Sequence, residues 1–388
     1  MIYKIARRNP NLCRFCGICR DAVSCPTELF SEDCIGCKAC YLACPYGAIE
    51  MVPHERKRLI EILIDREIYF VPEKITVSDA LEFAGFPISS APCGVGGCFA
   101  CAVMIDSETK LACVTEAVEG MQIDTVEKGG PMRVVSGFAP HLVGGVGTPY
   151  ALKSRMRPVE VACFLHGCNY RCPQCQNHVM AFTGGVAMTP ETTAEMLVRM
   201  KGMYQVERVA FSGGECTLNR KFLIESIKHL KRIDKGVRIH VDTNGSLLTS
   251  DYIDELVDAG MTDIGIDLKA LSLDTFTRIT AVSKDAERYL KTAWNAVKYI
   301  LDNHDIFVGI GIPYNQALTS SEEIGAMGKE IAQMSTDVQV SLLDYRPAFK
   351  RRDLTIPTAA EMADMKNILN ATGLNNVIAQ TGEGYIGP

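Results

Sequence analysis

The sequence has no long apolar run and no excess of basic residues. Its hydrophobic residues make up 47% of the chain, but no stretch reaches the roughly eighteen uninterrupted apolar residues of a membrane helix. The opening residues, MIYKIARRNPNLC, contain no apolar signal core, so we expect a cytoplasmic protein without a membrane partner. The net charge of -6 and the lack of any Lys/Arg run predict no nucleic-acid partner.

Cysteine is absent from the last 172 residues, yet the chain holds seventeen. Twelve precede residue 114, four lie within CFLHGCNYRCPQC at 163 to 175, and Cys216 stands alone. Disulfides are rare in a reducing cytoplasm, so metal ligation or catalysis is the better expectation for these cysteines. The metal chemistry should therefore lie mainly in the first third of the chain.

Changes in composition and apolar periodicity along the sequence predict four segments. Residues 1–57 are cysteine-dense and lack a periodic pattern, so they need metal to fold. In 58–127, RLIEILIDREIYFVP predicts two strands around a turn at Asp65-Arg66, and TVSDALEFAG predicts a capped helix. Residues 128–157, rich in Gly and Pro, predict a linker. Residues 158–388 are expected to form the largest domain, with a C-terminal extension.

The fourth segment alternates apolar strands with amphipathic helices. Six βα units with buried strands predict an α/β fold with a parallel sheet, either open or curled into a partial barrel. In such barrels reactive groups sit at the carboxyl ends of the strands, where the loops converge. The predicted strands are VEVACFL, VERVAFSG, VRIHVDT, MTDIGIDL, IFVGIGIP and VQVSLLDY.

Two cysteine motifs in the first segment, CRFCGICRDAVSCP and CIGCKACYLACP, predict two [4Fe-4S] clusters. Three thiolates spaced by two residues wrap one cluster, and the fourth, followed by Pro, reaches the other. A pair of structural zinc sites is the alternative, but zinc generally takes two separated pairs of cysteines. The segment resembles bacterial two-cluster ferredoxins, with a longer loop before Cys25. The first cysteine site is Cys13, Cys16, Cys19 and Cys44, and the second is Cys25, Cys34, Cys37 and Cys40.

A third set of cysteines has spacings of four, two and then a longer interval. This is the plant-type [2Fe-2S] pattern, and Gly94, Gly96 and Gly97 allow backbone amides to turn toward the sulfides. A disulfide or a zinc site explains neither the glycines nor the preceding hairpin. Residues 58–127 therefore resemble the β-grasp plant-type ferredoxin domains of dehydrogenases and hydrogenases. The third cysteine site is Cys93, Cys98, Cys101 and Cys113.

Cys168, Cys172 and Cys175, here called the Cys168 motif, are spaced by three and then two residues. Three thiolates leave one iron of a [4Fe-4S] cluster without a protein ligand, and an open position makes a metal site reactive. The chain here resembles the radical S-adenosylmethionine (SAM) superfamily, in which SAM chelates that iron. The resemblance covers about 158–350, places the three cysteines directly after the first strand of the sheet, and implies a partial (β/α)6 barrel.

Further motifs resemble the branch containing activases of glycyl-radical enzymes. SGGE follows the second strand, DTNG the third and DLK the fourth. The resemblance implies that the first holds the SAM amino group and the others surround its carboxylate, sometimes with a monovalent cation between them. The implied SAM-binding residues are Gly213, Gly214, Glu215, Asp242, Thr243, Asp267 and Lys269.

The sequence departs from the activase pattern at two positions. Gln174 replaces the usual aromatic residue before the third cysteine, and Arg346 stands where activases often have His. The electron-transfer segments also precede the motif, whereas activases usually insert theirs after it. Both substitutions are compatible with SAM cleavage. They argue against the glycyl-radical loop of a known partner as the substrate.

Several nearby residues have more than one interpretation. We expect Cys163 to be a buried strand residue, whereas Cys216 is either a hydrogen-atom donor, an auxiliary metal ligand or a packed thiol. His166 could contact the cluster or substrate, but a hydrogen-bonded supporting histidine is favoured. For Tyr170 and Asn177 both kinds of role stay open.

These motifs lead to one function with two alternatives. The chain is expected to use three [4Fe-4S] clusters, one [2Fe-2S] cluster and SAM, with electrons from a low-potential donor. The leading interpretation is an anaerobic oxidoreductase that cleaves SAM reductively and acts on a protein or peptide, as activases do. The alternatives are cofactor or small-molecule biosynthesis, and an electron-transfer subunit with a vestigial SAM site. A methyltransferase is disfavoured because no cobalamin-binding segment is present.

Overall fold

A computed structural model describes residues 1–86, 93–126, 130–154 and 156–388. Its contacts divide the chain into two compact units. Unit 1 consists of Met1–Ser136, Leu165–Asn169 and Asn177–Thr189, and unit 2 of Gly137–Phe164, Tyr170–Gln176 and Pro190–Pro388. The predicted boundary at 127/128 and Arg155 of the predicted linker lie outside the described residues. Within the described residues, no helix is long and apolar enough to cross a membrane.

Unit 1 contains short helices and two small sheets. β1 pairs antiparallel with β2, and a second sheet has the strand order β4-β3-β7-β5-β6. The hairpin and the helix expected within 58–86 are confirmed: Asp65 and Arg66 form the turn with positive φ, and Thr76 caps α3 through Asp79 N. The elements are β1 Ile2–Arg8, α1 Ile18–Asp21, α2 Ala39–Ala43, β2 Ile49–Glu55, β3 Leu59–Ile64, β4 Glu67–Pro72, α3 Val77–Phe83, β5 Ala102–Ile105, β6 Glu108–Leu111, β7 Gln122–Asp124, α4 His178–Phe182 and β10 Ala187–Met188.

The core of the second sheet explains why its strands pair as they do. On β3, Ile60, Ile62 and Ile64 alternate inward, and Val71 from β4 and Leu81 from α3 cover them. β3 runs parallel to β7, while β3 with β4 and β5 with β6 form antiparallel hairpins. This mixed sheet with one helix holds the third cysteine site; its assignment as a β-grasp domain stays a prediction.

Unit 2 is an α/β fold built on a largely parallel sheet. Its strand order is β9-β11-β12-β13-β14-β15-β16-β17, with parallel pairing from β11 through β16. All six predicted strands are present, and β16 adds a parallel strand that we did not predict. The elements are β9 Glu160–Leu165, α5 Pro190–Tyr204, β11 Arg208–Gly213, α6 Arg220–Ile233, β12 Arg238–Thr243, α7 Ser250–Ala259, β13 Asp263–Asp267, α8 Leu273–Thr280, α9 Ala286–Asn303, β14 Phe307–Tyr314, α10 Ser321–Met334, β15 Gln339–Asp344, α11 Ala359–Ala371, β16 Val377–Thr381 and β17 Gly384–Ile386.

The predicted linker over 128–157 needs correction, because its described part is integral to the fold. It forms β8 Arg133–His141 and then a glycine loop against the sheet. A Cβ atom on Gly147 would collide with His240 and with the backbone of Gly265, and one on Gly309 would collide with the carbonyl of Val146. The glycines that suggested a linker instead permit this close approach of backbone to strands.

A buried polar network fixes the loop at the amino ends of the strands. Arg208 donates to Gly147 O at 3.0 Å and to Asp263 at 2.6 Å, while His240 contacts Glu160 at 3.1 Å. Burial alone would raise the pKa of Glu160, but His240, His141 and Arg208 hold it well below its usual value. The ionised Glu160 carboxylate therefore holds these side chains together at the amino ends of the strands, opposite the predicted site.

Candidate functional site

The first two cysteine sites are each assembled within unit 1. Burial raises the pKa of Cys19, and the adjacent Cys44, Cys16 and Cys13 raise it further. In the second site, burial and the adjacent Cys37, Cys34 and Cys25 raise the pKa of Cys40 to about 12. The structure thus brings together the two sets of four thiols that the sequence grouped, including the cross-over of Cys25 and Cys44.

The third cysteine site is more deeply buried, with direct contacts between thiols. Hydrogen bonds from Cys113 and Cys98 hold the pKa of Cys93 well below its usual value. The pKa of Cys113 is raised by Cys101, by Cys93 and by burial. All four predicted cysteines of this site are therefore neighbours in the described structure.

The chemistry of these donor sets fits iron–sulfur clusters. All seventeen cysteines lie in the described residues and none forms a disulfide. Within those residues, no three His, Cys, Asp or Glu side chains converge on a single metal ion. Ligands of a cluster bind different irons and surround a larger volume. Thiols with raised pKa values release protons when they bind metal, so cluster assembly is expected to be pH-dependent.

Within unit 2, Cys172 of the Cys168 motif lies beside the DLK residues. Burial raises the pKa of Cys172, the Lys269 charge lowers it, and Asp267 raises it. Asp267 is the last residue of β13 and pairs with Gly311 of β14. The predicted link between the cysteine loop and the carboxyl end of the fourth predicted strand is therefore present.

Lys269 is buried and is held by two partners. Its Nζ donates to Asp267 Oδ2 at 2.7 Å and to the Tyr345 hydroxyl at 3.0 Å. Burial opposes the charge of Lys269, but Asp267 and Tyr345 keep its pKa well above the usual value. Asp267 Oδ1 is buried and, in the described structure, accepts no hydrogen bond. A ligand donor or a cation would fit this acceptor.

Tyr345 is a site residue that the sequence reasoning missed. It directly follows β15, and burial followed by Lys269, Cys172 and Asp267 are the main influences on its pKa, which is raised overall. The rule that reactive groups lie at the carboxyl ends of strands would have identified it. The next residue, Arg346, which stands where activases often have His, pairs with Asp344 at 2.7 Å.

Glu215 is fully buried and braces the ends of two strands. Its Oε1 accepts from Thr217 N at 3.0 Å and from the Thr243 hydroxyl at 2.6 Å, and its Oε2 accepts from Asn244 N at 2.7 Å. Gly213, at the end of β11, has φ of 110°, a backbone conformation that favours glycine. The structure thus brings Glu215 and Thr243 together. The Glu215 carboxylate holds the GGE loop to the end of β12 through these hydrogen bonds.

Asp242 and Cys216 lie at the ends of the same two strands and are linked by a hydrogen bond. Ser212 donates to Asp242 Oδ2 at 2.9 Å. Burial and the nearby Asp267 raise the pKa of Asp242, whereas His240 and Ser212 lower it. Cys216 is buried, and its thiol donates to Asp242 O at 3.3 Å. That contact favours the packed-thiol interpretation of Cys216.

The remaining predicted residues mostly support the cysteine loop. Gln174 is buried and donates to Ile279 O at 2.8 Å. Tyr170 packs edge-on against Phe276, and Cys163 is buried within β9, as expected. His166, in unit 1, is buried and its Nδ1 contacts Thr183 O at 2.9 Å, which agrees with the supporting role. Asn177 precedes α4.

Replacing Tyr345 by Phe should weaken the hold on Lys269. The change removes the hydroxyl acceptor of a buried ammonium group and leaves it only Asp267 of the two partners described above, so we expect a loss of about 1–3 kcal/mol in the free energy of unfolding. Urea denaturation followed by circular dichroism measures it. Tyr299→Phe is the control, because Tyr299 donates to Asp254, a half-exposed carboxylate. Equal effects of the two variants would contradict the assigned contact.

The family comparisons agree with this arrangement of residues. Residues 163–318 match the radical SAM superfamily, and residues 33–104 match a 4Fe-4S dicluster domain. The chain therefore contains a radical SAM domain and a 4Fe-4S dicluster domain. The second match crosses the predicted boundary at 57/58 and covers Cys34–Cys44 together with Cys93, Cys98 and Cys101. The assignment of a [2Fe-2S] cluster to the third cysteine site stays a prediction.

Similar proteins fall into several functional groups. A PqqA peptide cyclase of Bradyrhizobium diazoefficiens is 26% identical over 53% of this chain and 51% of its own length. A protein of Methanocaldococcus jannaschii, named as a glycyl-radical enzyme activating enzyme, is 25% identical over 59% of this chain and 91% of its own. A GTP 3',8-cyclase of Saccharolobus solfataricus is 32% identical over 30% of this chain and 36% of its own. The match thus spans only about half of the peptide cyclase.

Proposed function

We propose that the chain is a radical SAM enzyme that acts on a protein or peptide and receives electrons through its upstream cysteine sites. The observation that carries the proposal is Cys172 beside the pair of Asp267 and the buried Lys269, inside a domain that matches the radical SAM superfamily. With an iron–sulfur cluster bound at the Cys168 motif, the site would cleave SAM reductively to methionine and a 5'-deoxyadenosyl radical, and hydrogen abstraction from the substrate would follow.

Different residues of the chain would bind the cluster and SAM. Cys168, Cys172 and Cys175 would hold the cluster, and Lys269 supplies a fixed positive charge beside Cys172 for the SAM carboxylate. Glu215 holds the GGE loop through Thr243 and Asn244. Asp267 Oδ1 offers a buried acceptor for a monovalent cation beside the SAM carboxylate.

A protein or peptide substrate is favoured because two of the relatives are named as a peptide cyclase and an activating enzyme. A small-molecule substrate is the second candidate, supported by the similarity to a GTP 3',8-cyclase. A vestigial SAM site in an electron-transfer subunit is disfavoured because the Cys168 motif, Glu215 and the Asp267–Lys269 pair are all retained together.

The first test is formation of 5'-deoxyadenosine. The full chain, reconstituted anaerobically with iron and sulfide, is incubated with SAM and dithionite, and the product is measured by mass spectrometry. We expect 5'-deoxyadenosine in every fully loaded preparation. A preparation with full iron content and a reduced Cys168 motif that makes none would refute the proposal.

The same assay separates the two substrate classes. Deuterated cell extract is divided by ultrafiltration into a protein fraction and a small-molecule fraction, and each is supplied separately. Deuterium in 5'-deoxyadenosine reports the source of the abstracted atom. We expect it with the protein fraction; deuterium only with the small-molecule fraction would favour biosynthesis instead.

A further inference from the structure

The turn immediately before Cys168 packs directly on the third cysteine site. A Cβ atom on Gly167 would lie 2.8 Å from Cys93 Cβ and 3.2 Å from Cys98 Cβ. Gly167 also has φ of 88°, in the left-handed region. From the other side, a Cβ atom on Gly97 would lie 2.8 Å from His166 Cβ and 2.9 Å from Gly167 N. Both glycines are therefore needed for this close approach.

The first residues of β8 bond these two segments together. Val134 N donates to Gly97 O at 3.1 Å, and His166 N donates to Val134 O at 3.1 Å. The guanidinium of Arg133, which is fully buried, donates to His166 O at 3.0 Å. A continuous path of hydrogen bonds and covalent bonds therefore runs from Gly97, between Cys93 and Cys98, to Cys168. All of its residues belong to unit 1.

Arg133 also places a positive charge next to the third cysteine site. The side chain of Arg133 lies close enough to Cys98 for its positive charge to act on that thiol. A buried cation stabilises the anionic, thiolate-bound form of such a site. The hydrogen bonds of the sulfurs and the local charge set the potential of an iron–sulfur cluster. This junction is therefore suited to a site that accepts an electron.

We infer that the third cysteine site passes the electron directly to the Cys168 motif, across the contact between Gly167 and Cys93. This inference rests on the proposed function and assigns the last step of its electron supply. The second cysteine site has a different approach, because α2, which carries Cys40, packs on α4. That approach joins two helices, whereas the Gly167 contact joins the backbone next to Cys168 to a cysteine side chain.

The electron count is one per SAM molecule. A low-potential one-electron donor protein, such as reduced ferredoxin, is oxidised by one electron. The third cysteine site takes up this electron and passes it to the Cys168 motif. Cleavage of the sulfur–carbon bond of SAM to methionine consumes it. No other oxidant or reductant is needed.

Gly97→Ala tests the junction without removing a cysteine. The added methyl group forces Gly97 and the His166–Gly167 turn apart. The matched control is Gly137→Ala on β8, where an added Cβ atom meets nothing within 4 Å. Both full-length variants are reconstituted anaerobically and mixed with reduced ferredoxin. Freeze-quench electron paramagnetic resonance then follows each reduced site, and addition of SAM identifies the signal of the Cys168 motif.

In Gly97→Ala we expect the third site to be reduced by ferredoxin while reduction of the Cys168 motif is lost or strongly slowed. Dithionite, which reaches either site directly, should reduce both. Gly137→Ala should behave as the unaltered chain. If Gly97→Ala fails to load iron, Cys113→Ala, which removes a ligand of the third site, serves instead and should lose transfer from ferredoxin in the same way.

Reduction of the Cys168 motif by ferredoxin at the unaltered rate, in either variant, would overturn the inference and favour the route through α2 and α4. Failure of the proposed function looks different. In that case the unaltered chain shows a reduced Cys168 motif but forms no 5'-deoxyadenosine, and the order of electron transfer can still be read from the resonance signals.

Discussion

Replacing Cys172 by Ala is expected to abolish SAM cleavage and leave the upstream cysteine sites loaded. Cys172, the second cysteine of the Cys168 motif, lies beside Lys269 and Asp267. A cluster held by three protein thiolates has no spare ligand, so two thiolates should not retain it. The variant should therefore lose about four iron atoms per chain and all formation of 5'-deoxyadenosine.

The measurement combines iron and sulfide analysis with the product assay and electron paramagnetic resonance. Cys163→Ala is the matched control: Cys163 is a buried residue of β9, five positions before Cys168. Its replacement removes one sulfur atom from the core, costs about 1 kcal/mol, and should keep both iron and product. Residual product from Cys172→Ala, or equal iron loss in both variants, would contradict the assignment of Cys172.

The sheet of unit 2 was largely predictable because its strands are buried on both faces. Their apolar runs are visible in the sequence, and all six coincide with observed strands. The cysteine spacings similarly identified three groups of thiols that the structure brings together. Ligand spacing is a local property of the chain, so it can be recognised without knowing the fold.

The parts that were not predicted depend on contacts between distant residues. Gly145 and Gly147 look like linker glycines until His240 and Gly265 are brought against them. Arg208 and Asp263 each begin a strand, and only the register of the sheet turns them into a buried ion pair. Tyr345 is distant in sequence from Lys269. Pattern and propensity contain no information on such pairings.

Replacing Glu215 by Ala should have the largest effect on stability. Two backbone N–H groups, of Thr217 and Asn244, would lose a charged acceptor in a buried environment. Each unsatisfied buried donor costs about 1–3 kcal/mol, so we expect the free energy of unfolding to fall by about 3–5 kcal/mol. SAM binding should be lost as well, because the GGE loop is no longer held to the end of β12.

Glu215→Gln separates the two roles of this carboxylate. The amide oxygen of Gln can still accept from Thr217 and Thr243, but its NH2 group would then face the N–H of Asn244, and two donors cannot bond. We therefore expect a loss of about 1–3 kcal/mol, between those of the unaltered chain and Glu215→Ala. Urea denaturation of the full chain and equilibrium dialysis with labelled SAM measure the two effects.

The control is Glu225→Gln, on an exposed part of α6 where the carboxylate pairs with Lys228 at 3.0 Å. A surface pair contributes about 0–1 kcal/mol, so stability and SAM binding should be almost unchanged. If Glu215→Gln were as stable as the unaltered chain but failed to bind SAM, the carboxylate would act on the ligand alone. If the hydrogen bonds from Thr217, Thr243 and Asn244 to Glu215 hold the loop, both variants should lose stability and SAM binding together, and Glu215→Ala should lose more of each.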